Sequence, residues 1–301
     1  MKTLIMTDDN SGIKHIDLSK FGLKMMRMPI LINGEVYFQD ENIDFDKFYE
    51  LQENDADIRT SQPSLGEIIK AWDEALKEYD EILYIPMSSG LSESCNSAKN
   101  LSLDYKDKVF VVDNHRISVT LKSSVYDALN LVKQGKTAKE IKQILESEAS
   151  NSSIFIMVDT LKYLKKGGRV TPAGALLGEA LHIKPVLQIN GGKLDAYKKC
   201  IGSKKAKKVM LEAIKHDLET KFDTHDINDF RVAIAYTKDF KSAKIFMKEA
   251  CEYLHINPNN VEIDQLSLSV ATHIGPGSLA ITISKKSEVT KWKKELKNLD
   301  P

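Results

Sequence analysis

Two hydrophobic rhythms take turns along the chain. Residues 81–87 (EILYIPM) and 108–113 (KVFVVD) are short, nearly continuous apolar runs, as expected of strands buried on both faces of a parallel sheet. Between such runs apolar residues recur at helical spacing. Ile68, Trp72, Leu76 and Tyr79 follow Ser64-Leu65-Gly66-Glu67, and Ile141, Ile144 and Leu145 follow Thr137-Ala138-Lys139-Glu140. Both tetrapeptides have the form of a capping box, so each predicts a helix start. Residues 1–7 (MKTLIMT) turn acidic too soon for a signal peptide and predict an opening strand.

The polar stretch 148–153 (EASNSS) marks a boundary. Beyond it the pattern predicts a strand at 154–159, the basic stretch 161–169 (LKYLKKGGR) and a helical segment through Leu181. A hairpin follows, with arms at 185–189 and 193–197 around Asn190-Gly191-Gly192, because Asn-Gly suits the positive φ angles of a tight turn. Residues 231–237, 261–266 and 279–284 read as strands, and 204–219, 240–254 and 287–297 as helices. Strand and helix in alternation give the α/β class. The expected architecture is a parallel-sheet N-terminal domain over 1–152 and an α/β C-terminal domain over 153–301, with a ligand site between them.

Composition narrows the functional classes. Lysine plus arginine equals aspartate plus glutamate at 43 each, so no global field points to nucleic acid or an acidic membrane. No window approaches the roughly 18 to 20 apolar residues of a membrane span. Cys95, Cys200 and Cys251 are isolated, outside any CxxC spacing, and indicate neither a disulfide framework nor a zinc site. A reducing cytoplasm is the expected compartment.

Three polar segments carry the candidate chemistry: Thr60-Ser61-Gln62-Pro63-Ser64, Ser88-Ser89-Gly90-Leu91-Ser92 and His273-Ile274-Gly275-Pro276-Gly277. They offer hydroxyls, flexible backbone amides and one imidazole without a carboxylate, which suits an anionic head group better than bond hydrolysis or a metal. Ser64 is explained as a helix cap, whereas Thr60 and Ser61 are free for a ligand. The serine loop follows a strand and opens a helix, where unpaired backbone N–H groups can join hydroxyls around an anion. The glycines and proline after His273 predict a tight turn following a strand. Gly90-Leu91-Ser92-Glu93-Ser94 is one residue short of GxSxG, so a serine esterase or acyltransferase using Ser92 and His273 stays open as an alternative. Lys165 to Gly168 read as a cationic helix end, leaving Arg169 beyond the cap for another role. The lysines at 204, 205, 207 and 208 read as a solvated helix face. No P-loop and no GxGxxG after a strand is present, so nucleotide binding has no local support.

In order and spacing these segments resemble the DegV family, fatty-acid-binding proteins that serve bacterial fatty acid kinase. The resemblance includes Asp8 in an N-terminal TD motif, 60–64, 88–92, 161–169, 183–187 (IKPVL) and 273–277, and spans essentially the whole chain. It implies a two-domain α/β fold with one long-chain fatty acid in the cleft and no other cofactor. The carboxylate would be held by Thr60 with Ser61, by a serine of the 88–92 loop (Ser92 or Ser89), and near His273 and Gly275. Arg169 would face a partner. The protein would present the carboxylate to a separate ATP-dependent kinase that makes an acyl phosphate for phospholipid synthesis, itself being carrier and not catalyst. A lipid-responsive regulatory sensor is a further alternative.

The sequence departs from the family pattern at Asp9-Asn10, where Ser-Thr is usual, at Asn114, where serine is expected, and in 199–203 (KCIGS), which lacks an arginine. The last departure bears on coupling to the kinase. For the tail, Leu176, Leu177, Leu181, Ile183, Val186 and Leu187 are candidate lining, equally explained as ordinary core.

Overall fold

A computed structural model of the protein describes residues 1–14, 18–176, 182–190 and 192–287. The first half comprises β1 (Thr3–Asp8), β2 (Leu23–Met26), β3 (Ile30–Ile32), β4 (Glu35–Tyr37), α1 (Phe45–Glu53), β5 (Ile58–Thr60), α2 (Leu65–Ala75), β6 (Glu81–Ile85), α3 (Ser94–Ser102), β7 (Val109–Val111), α4 (Ser118–Lys133) and α5 (Ala138–Ser147). The second comprises β8 (Ser152–Met157), α6 (Lys162–Gly167), α7 (Pro172–Ala175), β9 (Ile183–Asn190), β10 (Lys193–Ile201), α8 (Ser203–Thr220), β11 (Phe230–Tyr236), α9 (Phe240–Leu254), β12 (Val261–Gln265), α10 (Leu268–Ile274) and β13 (Leu279–Lys285).

Both capping boxes form. Ser64 accepts from the Glu67 amide while Glu67 reaches back, and Thr137 and Glu140 do the same at α5. The apolar runs become β1, β6 and β7, and with β2, which the sequence reading does not anticipate, they form a parallel sheet in the order β2-β1-β6-β7. Successive side chains point to opposite faces. Leu4, Met6, Ile82 and Tyr84 therefore pack with Trp72 of α2 and Ala98 of α3, while Ile5, Leu83 and Ile85 pack with Val125 of α4 and Ile141 of α5.

The second half builds a six-stranded mixed sheet, β10-β9-β8-β13-β11-β12, parallel only between β11 and β12. Its outer face carries Phe155, Met157, Val232, Ile234, Ile281 and Ile283 against α8 and α9. The sequence does not anticipate a third, small antiparallel sheet, β4-β3-β5. Ile30, Ile32 and Ile58 of that sheet, with Phe48 of α1, pack on Leu268 and Ala271 of α10.

Among the described residues, largely buried ion pairs join the halves. Arg231 of β11 donates two hydrogen bonds to Asp127 of α4, at 2.9 and 2.6 Å, and Lys122 of α4 pairs with Asp264 of β12. The predicted helix at 287–297 lies, after Ser287, outside the described residues, as does the helical segment through Leu181 beyond Leu176.

Candidate functional site

His273 lies in a helix, not in a turn. Ser267 accepts from the Val270 amide and caps α10, whose seven residues carry the imidazole near their C-terminus before Gly275 (φ 74) ends it. The Gly-Pro-Gly run sets only that helix end. On the facing side, β5 delivers Thr60 at its last residue, and Ser64 starts α2 four residues later. Thr60 Oγ1 and His273 Nε2 thereby meet at 2.8 Å, across 213 positions of sequence.

The imidazole is buried, and desolvation, with Arg169 as a second cationic influence, pushes its pKa down to about 4. It is neutral at physiological pH. Nδ1 is buried with no hydrogen-bond partner among the described residues. A buried orphan N–H is rarer and costlier than an orphan acceptor. The proton therefore belongs on Nε2, which donates to Thr60 and leaves the threonine hydroxyl proton to point elsewhere.

Thr60 and His273 both border a cavity between the two large sheets, of about 940 Å³ with its open mouth included. Thr60, Ser61, Gln62, Ser92, Arg169 and His273 contribute to its wall. Strand alternation explains why space remains on the inner face of the six-stranded sheet. β11 turns Val232, Ile234 and Tyr236 outward and Ala233 and Ala235 inward; β13 turns Leu279, Ile281 and Ile283 outward and Ala280 and Thr282 inward. Large residues fill the outer core, while small ones leave an open slot. Ile154 and Ile156 of β8, with Ile189 and Leu194 of the β9–β10 hairpin, continue the apolar wall.

The opposite wall stands at the carboxyl ends of parallel strands β1 and β6, the usual crevice of open α/β sheets. Asp8 accepts from the amides of Met87 and Asn10, both at 2.9 Å, and Asp9 accepts from the Met28 amide at 2.7 Å. Burial raises the Asp8 carboxyl to about pH 6, although those amides pull it the other way. The two acids fix Met28 and Met87, whose side chains face the cavity. Asn10, one of the departures noted above, donates to Asp8 and accepts from Ser269 of α10, so it ties this wall to the helix bearing His273.

The serine loop behaves differently from its sequence reading. Helix α3 begins only at Ser94, and Glu93 at its cap makes no side-chain cap. The amides of Gly90, Leu91 and Ser92 turn back on Ser88, at 3.1, 3.1 and 3.2 Å, so they are spent within the loop rather than aimed at an anion. Ser92 lines the cavity while its Oγ accepts from the Ser94 amide at 3.2 Å, whereas the Ser89 amide donates to Asp113 and Ser89 lies outside that wall. Gly275 also lies outside it; its carbonyl accepts from Thr237 at 2.7 Å.

The tail candidates fare otherwise. Leu176 is 84% exposed, Val186 belongs to the outer core, Ile183 is half-buried, and Leu187 sits in the apolar cluster behind the wall. None of the four lines the cavity, and Leu177 and Leu181 fall outside the described residues. The lining that sequence reading passed over was signalled by alternating large and small residues in RVAIAYT and LAITIS. Among the described residues no carboxylate orients His273, no group of side chains could hold a metal ion, and no helix is long and apolar enough to cross a membrane.

Fold and site together define a two-domain α/β protein enclosing an apolar slot with a polar end. The DegV family model matches residues 2–286, and the chain belongs to that family. A DegV domain-containing protein of Staphylococcus aureus strain N315 is 29% identical over 287 residues, covering 95% of this chain and 99% of the relative. Two solved structures share the fold across 95% of this chain at 26% identity. One, described as fatty acid binding of a DegV family protein from Thermus thermophilus, has a TM-score of 0.84 and is covered over 100% of its length. The other, a fatty acid binding DegV family protein from Streptococcus agalactiae, has a TM-score of 0.83 and is covered over 99%.

Proposed function

We propose that this protein binds one long-chain fatty acid, with its carboxylate at Thr60, Ser61 and Ser92 beside His273 and its tail along Ala235, Ala280 and Ile156. The observation that carries this reading is the pairing of Thr60 with a neutral imidazole on the wall of a mostly apolar slot. Burying about 15 methylenes contributes on the order of 10 kcal/mol before ordering costs. Removing the carboxylate from water costs several kcal/mol, and each charge-assisted hydrogen bond returns about 1.5 to 3. Two or three hydroxyl donors offset that cost, so the tail sets affinity and the polar end sets orientation.

In this reading the chain is a cytoplasmic carrier, the division between its domains falls in the polar stretch 148–153, and its partner is a separate ATP-dependent fatty acid kinase. A carboxylate gripped by neutral donors keeps an oxygen lone pair available for a phosphoryl donor, and Arg169, exposed at the mouth, faces that partner. The hydrolase alternative lacks support: Nε2 of His273 is engaged by Thr60 and not by Ser92.

Native mass spectrometry of protein purified from cells tests the binding. A single increment matching one fatty acid is expected; bare protein that also refuses added palmitate refutes it. Kinase coupling is tested separately, by ATP-dependent acyl phosphate formation with the lipid-loaded protein and a kinase subunit. No product from a demonstrably loaded protein refutes the presenting role alone.

A further inference from the structure

We propose that Gly167 positions the His273 imidazole, and through it the Thr60 hydroxyl, for carboxylate binding; the proposal rests on the fatty-acid reading of the site. Helix α6 lies against α10 through two reciprocal contacts, each a glycine of one segment facing a ring of the other. A Cβ on Gly167 would sit 2.9 Å from Cε1 of His273 and closer still to Nδ1, and a Cβ on Gly275 would sit 2.5 Å from Cε2 of Tyr163. Carbon atoms do not approach so closely.

The two glycines differ in what else they explain. Gly275 has φ +74, so its backbone alone calls for glycine. Gly167 lies outside the left-handed region and is the last residue of α6, where alanine is the better helix former. Its missing side chain is therefore room for the imidazole. The adjacent Gly168 (φ 65) caps the helix and turns the chain to Arg169, so the two glycines of this motif have separate tasks.

The unpartnered Nδ1 makes the contact consequential. Nε2 is fixed by Thr60, but no hydrogen bond among the described residues holds the other edge of the ring. Packing against the Gly167 backbone sets that edge. Lys162–Asp55 and Lys166–Asp57 (3.2 Å) tie α6 to the segment leading into β5, the strand that delivers Thr60. A side chain at 167 would rotate the ring and carry Nε2 off Thr60, and the hydroxyl would lose the partner that holds it at the edge of the slot.

Affinities for palmitate and for hexadecanol, which shares the tail but carries no charge, test this in wild type, Gly167→Ala and Gly66→Ala. Gly66 is exposed with open space around it and serves as the control. Gly167→Ala is expected to weaken palmitate roughly tenfold or more, the loss of one charge-assisted hydrogen bond, and to leave hexadecanol nearly unchanged. In a His273→Ala background the same substitution is expected to do nothing further. Unchanged palmitate affinity overturns the proposal, as does an equal loss for both ligands or a loss that persists without His273. Wild type that binds neither ligand overturns the fatty-acid reading itself, a result distinct from all of these.

Discussion

Replacing Ala280 with leucine puts three more carbons into the slot from the centre of its floor. Ala280 is 2% exposed, on the inward face of β13, between strands β8 and β11 that also line the cavity. Ala280 borders the cavity as well as its inner apolar cluster, so the new side chain has open space beside it and little of the usual overpacking cost of about 1 to 3 kcal/mol is expected. It displaces about as many tail methylenes as it adds carbons. At about 0.8 kcal/mol each, the loss is about 2.4 kcal/mol, roughly 60-fold in Kd. Calorimetric titration with saturated acids of increasing length gives the assay. Acids too short to reach Ala280 keep wild-type affinity, and longer ones lose it at a defined length. The denaturation midpoint stays at or above the wild-type value. Wild-type affinity at every length refutes the assignment of this sheet face to the tail, and an equal loss at every length refutes the idea that the substitution acts on the tail.

Thr60→Ala removes the hydroxyl that the imidazole supports and is expected to weaken palmitate by about 1.5 to 3 kcal/mol, with thermal stability nearly retained; calorimetry and a melting curve check both. The neutral state of His273 predicts a pH signature. Its folded pKa of about 4 lies below the ordinary 6.5, so the unfolded chain takes up the proton first. The stability contributed by the neutral ring is complete above about pH 6.5 and is lost as pH falls towards 4; an imidazole titration by NMR with a midpoint at 6.5 or higher contradicts it. Asp127→Ala removes the carboxylate partner of the largely buried Arg231 guanidinium between the halves and is expected to cost roughly 3 to 5 kcal/mol, read as a lower urea midpoint.

The elements legible in the sequence are those where one local signal dominates. Trp72 and Ile68 sit a helical turn apart behind a Ser64–Glu67 box, and helix, cap and buried face all follow. Helix α9 occupies 240–254, as its periodicity predicts. His273 misleads because Gly275, Pro276 and Gly277 punctuate strongly, and their turn signal hides a short helix whose start at Ser267 lies six residues earlier. The small sheet escapes notice because β3, β4 and β5 are three residues each, too short to show a period, and gain their apolar partners only when α1 and α10 pack beside them. The slot itself is written in strand alternation, but reading Ala235, Ala280 and Thr282 as one surface requires knowing that β11 and β13 are paired, which only the fold supplies.

A crystal structure of the protein with palmitate bears most directly on the central claim. The carboxylate is expected within about 3.2 Å of Thr60 Oγ1, beside a neutral His273, with the acyl chain running over Ala235 and Ala280. A carboxylate bound at any other part of the cavity wall, or a lipid lying outside the space between the two sheets, contradicts it.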